Sequence, residues 1–317
     1  MAEMGPGLRR DDDFTNRHND PGGGMIGFGW SGRALLVGLP FAWLALFFLV
    51  PMLIVAAISF TYSVDAIPPY APLWTVSPAG IKSHATLANY RELCQGCVSA
   101  YGKSLGFAAL TTLLCLLAGY PIAFAIARAP ATQRQLLLFL VMLPFWTSFL
   151  IRVYAWIAIL QPTGLINRAL IAMGLIEAPL PLLYNGFSLV LGMVYSYLPF
   201  MILPLYGALS RLDESLVEAA ADLGARPAAV LRRVILPLSL PGIAAGSLLV
   251  FIPAVGEFVI PDLLGGPRTL MIGRVLWQEF FDNVDWPAAA AIAVVLVVLL
   301  TVPLLIVQRL AERERIA

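Results

Sequence analysis

Six apolar runs, each about as long as a bilayer is thick, decide what this chain can fold into. They lie at about 35–60, 105–127, 136–160, 187–209, 242–261 and 288–308. A helix needs roughly 20 apolar residues to cross the hydrocarbon core. In lipid, every backbone N–H and C=O must be satisfied within the spanning structure. The runs therefore predict an all-α, polytopic membrane protein with six transmembrane helices. Composition supports this, with 60% hydrophobic and 12% charged residues, against about 25% charged in a soluble domain. A net charge of +1 without a basic patch argues against a nucleic-acid partner.

Residues 1–33 are polar and Gly-rich, with an acidic run at Asp11, Asp12 and Asp13. They are expected to form a disordered cytoplasmic tail, the acidic run being solvated rather than metal-binding. No cleavable signal is expected, because the first apolar run starts too late and is too long. Residues 34–308 form the predicted transmembrane domain and 309–317 a cytoplasmic C-terminal tail. Lys and Arg set the orientation. With the N-terminus inside, 13 of the 20 basic residues fall on the cytoplasmic side. Both termini and the loop 213–241 are then cytoplasmic.

That loop is the longest amphipathic, charged insert. Ser215 and Glu218 have the spacing of a capping box, with Asp213 as the alternative cap. Leu216, Val217, Ala220 and Leu223 follow at helical spacing. Gly224 is placed to end the helix in the left-handed region. Pro227 suits the first turn of a second helix, whose apolar side is Val230, Leu231, Val234 and Ile235. Pro237 and Pro241 are expected to stop it.

Glu218-Ala219-Ala220, Leu223-Gly224-Ala225, Leu236-Pro237-Leu238 and Pro241-Gly242-Ile243 together resemble the EAA loop of ABC importer permeases. Segments 143–156, 251–267 and 272–280 resemble the permeases of polyamine importers, the putrescine group above all. The resemblance implies the type I ABC importer permease fold. It implies a coupling loop at 213–241 that docks on a cytoplasmic ATPase, with Glu218, Ala219, Ala220, Asp222, Gly224, Ala225, Arg226 and Pro237 as coupling residues. The implied partners are a second permease subunit (a paralogue), an ATPase dimer, a periplasmic solute-binding protein and a polyamine substrate. ATP and Mg would be bound by the ATPase, leaving this chain without a cofactor and without enzymatic activity. Leu231 stands where the family often has an aromatic residue, and Arg226 cannot cap the second helix as a Ser would.

Ionisable residues at membrane depth are functional candidates. These are Arg152, Glu257 and Asp262. At 1.5 Å per residue Glu257 lies about 24 Å along its helix from Pro241, toward the outside. Two readings stand: an Arg152–Glu257 ion pair locking two helices, or Glu257 facing the path and attracting a cation. Trp146, Tyr154, Trp156, Tyr195 and Tyr197 offer aromatic faces for ammonium groups or serve as packing. Cys94 and Cys97 would sit outside as a local disulfide or two free thiols. A metal site is not expected, since the only histidines are His18 and His84. Gly102-Lys103-Ser104 fails as a phosphate loop because Cys97 occupies the required Gly position. The rival class is a self-sufficient secondary transporter or channel for small organic cations, which usually shows inverted repeats. None is evident.

Overall fold

The computed structural model describes residues 30–77 and 80–316, so the acidic run at 11–13 and most of the predicted N-terminal tail lie outside the described residues. Contacts divide the chain into two units, Met1–Pro51 and Met52–Ala317. The first contains α1 (Trp30–Leu44), which begins inside the predicted tail, and a π-helical turn at Ala45–Leu49. Helix α2 follows at Val50–Ile58.

The polar segment after α2 is more ordered than its Pro-rich sequence suggests. It holds a hairpin of β1 (Trp74–Ser77) and β2 (Gly80–Ser83), with Trp74 opposite Ser83. It also holds helix α3 (Ala88–Gly96). Asn89 Nδ2 donates to the carbonyls of Ser59 (2.9 Å) and Thr61 (2.7 Å), tying α3 to the end of α2.

The core is built by three long helices: α4 (Val98–Arg128), α8 (Gly186–Leu209) and α12 (Leu240–Val255). Between α4 and α8 come α5 (Ala131–Met142), α6 (Phe149–Leu160) and α7 (Leu165–Ala172). Small residues let the core helices approach closely, as expected where apolar lipid leaves packing to supply the association. A Cβ added at Gly242 would lie 2.5 Å from Ala208 Cβ, and one at Gly246 would lie 2.8 Å from Met201 Sδ. These contacts set an antiparallel register between α8 and α12.

Helix α8 ends in the short α9 (Glu214–Asp222), α10 (Pro227–Val230), a π-helical turn at Leu231–Ile235 and α11 (Leu236–Leu238). After α12 come α13 (Val259–Leu263), α14 (Ile272–Trp277), a π-helical turn at Gln278–Asp282 and α15 (Trp286–Ile316). The predicted C-terminal tail is therefore helical through Ile316.

Among the described residues, five helical stretches are long and apolar enough to cross a membrane: Leu36–Ile58, Val98–Arg128, Phe149–Ala172, Gly186–Leu209 and Trp286–Ile306. The pair Pro227–Leu238 and Leu240–Val255, bent by 66°, makes a sixth if counted as one span. The third differs from expectation. The run 136–160 is broken by a 3-10 turn at Leu143–Trp146 that contains Pro144. The apolar helical stretch instead runs from Phe149 to Ala172, past the expected end of the run at 160. Buried Asn167 pins that segment, exchanging hydrogen bonds with the backbone N–H (2.8 Å) and carbonyl (3.1 Å) of Leu180.

Candidate functional site

The loop 213–241 folds as two short helices about a glycine corner. Asp213, not Ser215, is the N-cap of α9: its carboxylate accepts from the Ser215 N–H at 3.0 Å. That bond holds the Asp213 carboxyl below its ordinary range. The expected Ser215–Glu218 capping box does not form, because α9 starts at Glu214, two residues earlier than a Ser215 cap requires. Glu218 is instead exposed. Gly224 has φ +77° and ends the helix as the sequence predicts. The Ala225 N–H bonds the Ala220 carbonyl (3.1 Å) and the Gly224 N–H bonds the Ala221 carbonyl (2.8 Å), a complete Schellman ending. Pro227 opens α10, and Arg226 precedes it without a side-chain cap. Pro237 lies inside α11 rather than stopping it, and the chain bends after it at Ser239. Buried Ser239 shares a 3.0 Å hydrogen bond with the Tyr120 hydroxyl of α4.

The predicted apolar faces split in two. Val217, Ala220, Ala225 and Val234 pack against the core, with Val230 and Ile235 buried. Leu216, Leu223 and Leu231 point outward, Leu223 at 89% exposure. Glu218, Ala219, Asp222, Arg226 and Pro237 are exposed with them. An Arg128–Glu214 ion pair at 3.2 Å joins the end of α4 to α9. Next to it is a hollow of about 630 Å³ lined by Phe124, Arg128, Val217, Ala221 and Leu231.

The second region is the interruption between α12 and α13. Helix α12 ends at Gly256, and Glu257 takes over as a local cap: Oε1 accepts from the N–H groups of Val259 (3.0 Å) and Ile260 (3.4 Å). Its Oε2 accepts from the hydroxyl of Tyr197 on α8, so Tyr197 contributes a donor rather than an aromatic face. Carrying the α8–α12 register upward puts Glu257 level with the Gly186 half of α8, the end assigned to the outside. Tyr197 sits halfway along α8, and helix side chains tilt toward the N-terminus, so it reaches up to Glu257.

The Arg152–Glu257 pair does not form. Arg152 sits in the first turn of α6, its guanidinium 5.3 Å from the Phe145 ring and 5.7 Å from the Phe149 ring. Its Nε and one Nη are buried without a hydrogen-bond partner. Phe145 packs on Phe200 and Trp156 on Tyr195, which places Arg152 between those levels and below Glu257. Trp146 and Tyr154 are 75% and 56% exposed. Asp262 instead meets Arg274 of α14, with Nε 3.1 Å from Oδ1 but without hydrogen-bond alignment. Phe258, four residues before Asp262, stacks on Trp277 at 4.6 Å and 9°. Sequence reasoning missed Arg274, Phe258 and Trp277. Their one-turn spacings, 258 with 262 and 274 with 277, were the available signal.

Cys97 is a free thiol, raised in pKa by burial and by Glu279, while the side chain of Cys94 lies outside the described residues. Among the described residues no group of three His, Cys, Asp or Glu side chains converges as a metal site.

Residues 96–316 match the family described as "binding-protein-dependent transport system inner membrane component". The chain is 42% identical over 279 residues to the spermidine/putrescine transport system permease protein PotB of Haemophilus influenzae, covering 87% of this chain and 93% of that protein. It is 39% identical over 268 residues to the protein of the same name from Escherichia coli K12, covering 84% and 93%. A bacterial alginate ABC transporter, solved in complex with an alginate pentasaccharide-bound periplasmic protein, has a chain of the same fold. Its TM-score is 0.67 at 18% identity, covering 90% of this chain and 95% of that one.

Proposed function

This chain belongs to the inner-membrane components of binding-protein-dependent transport systems, and from that premise we propose that it carries a polyamine of the putrescine or spermidine type across the membrane. It is a permease subunit of an ABC importer, and the ATPase in this family is a separate subunit. The observation that carries the substrate is the 42% identity to a spermidine/putrescine permease over nearly the whole length of both proteins. A carboxylate set in a helix interruption at membrane depth fits a cationic cargo.

The loop 213–241 transmits the work of the ATPase. Leu216, Leu223 and Leu231 present an apolar face that the core does not use, with Glu218, Asp222 and Arg226 beside it. Its inner face is packed to α4 and α8, so a displacement of the loop moves the core helices as a body. Those helices then rock between inward-open and outward-open populations. The partners are an ATPase pair, a paralogous second permease and a periplasmic binding protein. Both termini lie inside, with ATP and Mg held by the ATPase. Cys94 lies outside, near Cys97.

Reconstitution of the purified complex tests this reading. Labelled putrescine should accumulate in proteoliposomes only with ATP and the loaded binding protein. Uptake by this chain alone would establish a self-sufficient transporter instead. Impermeant thiol reagent applied to reduced spheroplasts should label Cys94 and spare Arg226→Cys; the reverse pattern would overturn the orientation.

A further inference from the structure

The Asp262–Arg274 pair and the Phe258–Trp277 stack belong to one interface between α13 and α14. Phe258 and Asp262 are one turn apart, and Arg274 and Trp277 are one turn apart, so charge meets charge and ring meets ring across the same seam. The seam abuts the Glu257 interruption directly. A Cβ on Gly273 would lie 2.4 Å from the Gly256 carbonyl oxygen and 2.6 Å from that of Glu257. Arg274, the next residue, is therefore held beside the carboxylate-bearing break.

The ion pair is built to be weak. It rests on a single contact that is not aligned as a hydrogen bond, and the Arg274 Nε has no hydrogen-bond partner. The Asp262 and Arg274 side chains are 52% and 30% exposed. Pairs of this kind contribute little in high dielectric and yield readily to a competing cation. The ring stack, by contrast, continues from Trp277 to Phe281 at 4.1 Å, and Phe281 is 55% exposed.

We propose that Asp262 and Arg274 form a displaceable ion pair, in which an ammonium group of the cargo replaces Arg274 at Asp262. This rests on the polyamine reading above. Asp262 lies five residues beyond Glu257, across the break between α12 and α13. One ammonium of a short α,ω-diamine would sit at Asp262, since both Glu257 oxygens already accept hydrogen bonds from Val259, Ile260 and Tyr197. Arg274 balances the charge of Asp262 when the site is empty. Departure of Arg274 removes the polar half of the α13–α14 seam and leaves the ring stack as its remaining tie.

The opposite charges give opposite predicted signs, which a purely structural lock would not. The probe is labelled 1,4-diaminobutane, bound at equilibrium to the purified four-subunit complex without binding protein. Asp262→Asn should weaken binding about tenfold, as loss of one charge-assisted contact does. Arg274→Gln and Arg274→Met should tighten it several-fold, because the internal competitor is gone. Asp262→Glu should retain binding. Equal weakening by Asp262→Asn and Arg274→Gln would identify a structural lock and overturn the proposal. Unchanged affinity in all variants, with diamine import intact in the unsubstituted complex, would also overturn it while leaving the polyamine reading standing. If the unsubstituted complex imports another solute and neither imports nor binds the diamine, both fall.

Discussion

Two interruptions in the helical chain do different physical work. The corner at Gly224 is closed entirely by its own backbone. It has a left-handed glycine, two Schellman hydrogen bonds and open space around the glycine Cα, where an added Cβ would meet nothing within 4 Å. The break at Gly256 is closed by its own Glu257 cap together with groups from elsewhere in the chain. Tyr197 arrives from α8 to bond Glu257, and Gly273 presses against the carbonyls of Gly256 and Glu257. The first leaves its neighbours exposed and its outer leucines unused. The second is knitted into the core. A joint proposed to dock on another protein can be locally self-sufficient, whereas a polar group at membrane depth needs partners that only the fold supplies.

Substitution at the two glycine positions should separate the kinds of joint. At Gly224 only backbone strain is at stake, of order 1–2 kcal/mol for a side chain in the left-handed region. Gly224→Val should leave membrane insertion normal yet reduce ATP-driven uptake about tenfold or more. Gly224→Asn, which tolerates positive φ, should retain most of it. Parallel uptake and ATP hydrolysis measurements read the difference, and full uptake by Gly224→Val would mean the corner does not couple. Gly273→Ala should act oppositely. It meets backbone oxygens closer than van der Waals distance, so the loss should appear first as a lower melting temperature of the purified complex.

The next contrast is an outward leucine against a buried tyrosine. Leu223→Asp changes a side chain that is 89% exposed. It should leave the melting temperature unchanged while the ATPase no longer copurifies. Tyr197→Phe removes a buried donor to a carboxylate, worth about 1.5–3 kcal/mol, and should lower stability with the ATPase still bound. Reversal of either pattern would erase the distinction between docking face and core.

The smallest effect concerns the Asp213 cap. Its folded pKa is depressed by the Ser215 backbone bond. Its contribution is therefore present above the unfolded carboxylate pKa and is lost as pH falls through the folded value. Amide exchange in α9 should quicken on acidification into the acid range, and Asp213→Asn should abolish that dependence while keeping the cap.

Legibility in the sequence followed the range of the interactions. Gly224, Pro227 and the apolar runs act on residues a few positions away, so their consequences could be read directly. The choice between Asp213 and Ser215 as cap, two residues apart, was local too. It turned on where helical geometry starts, which propensity leaves loose by a residue or two. Which of Leu216, Val217 and Leu223 faces the core was not legible. All three are apolar, and only the position of α4 and α8 sorts them.

The sequence by itself determined the class of molecule: long charge-poor runs leave a chain no stable alternative to membrane-spanning helices, and the glycine corner needs no partner to form. Tertiary structure alone decided who meets whom at membrane depth. Arg152 settled on Phe145, Glu257 on Tyr197, and Asp262 on Arg274. Each of these contacts joins groups brought near by helix register and by the breaks at Leu143–Trp146 and Gly256. A rise of 1.5 Å per residue gives a residue's level along its own helix, but not the direction its side chain faces or the neighbour that waits there.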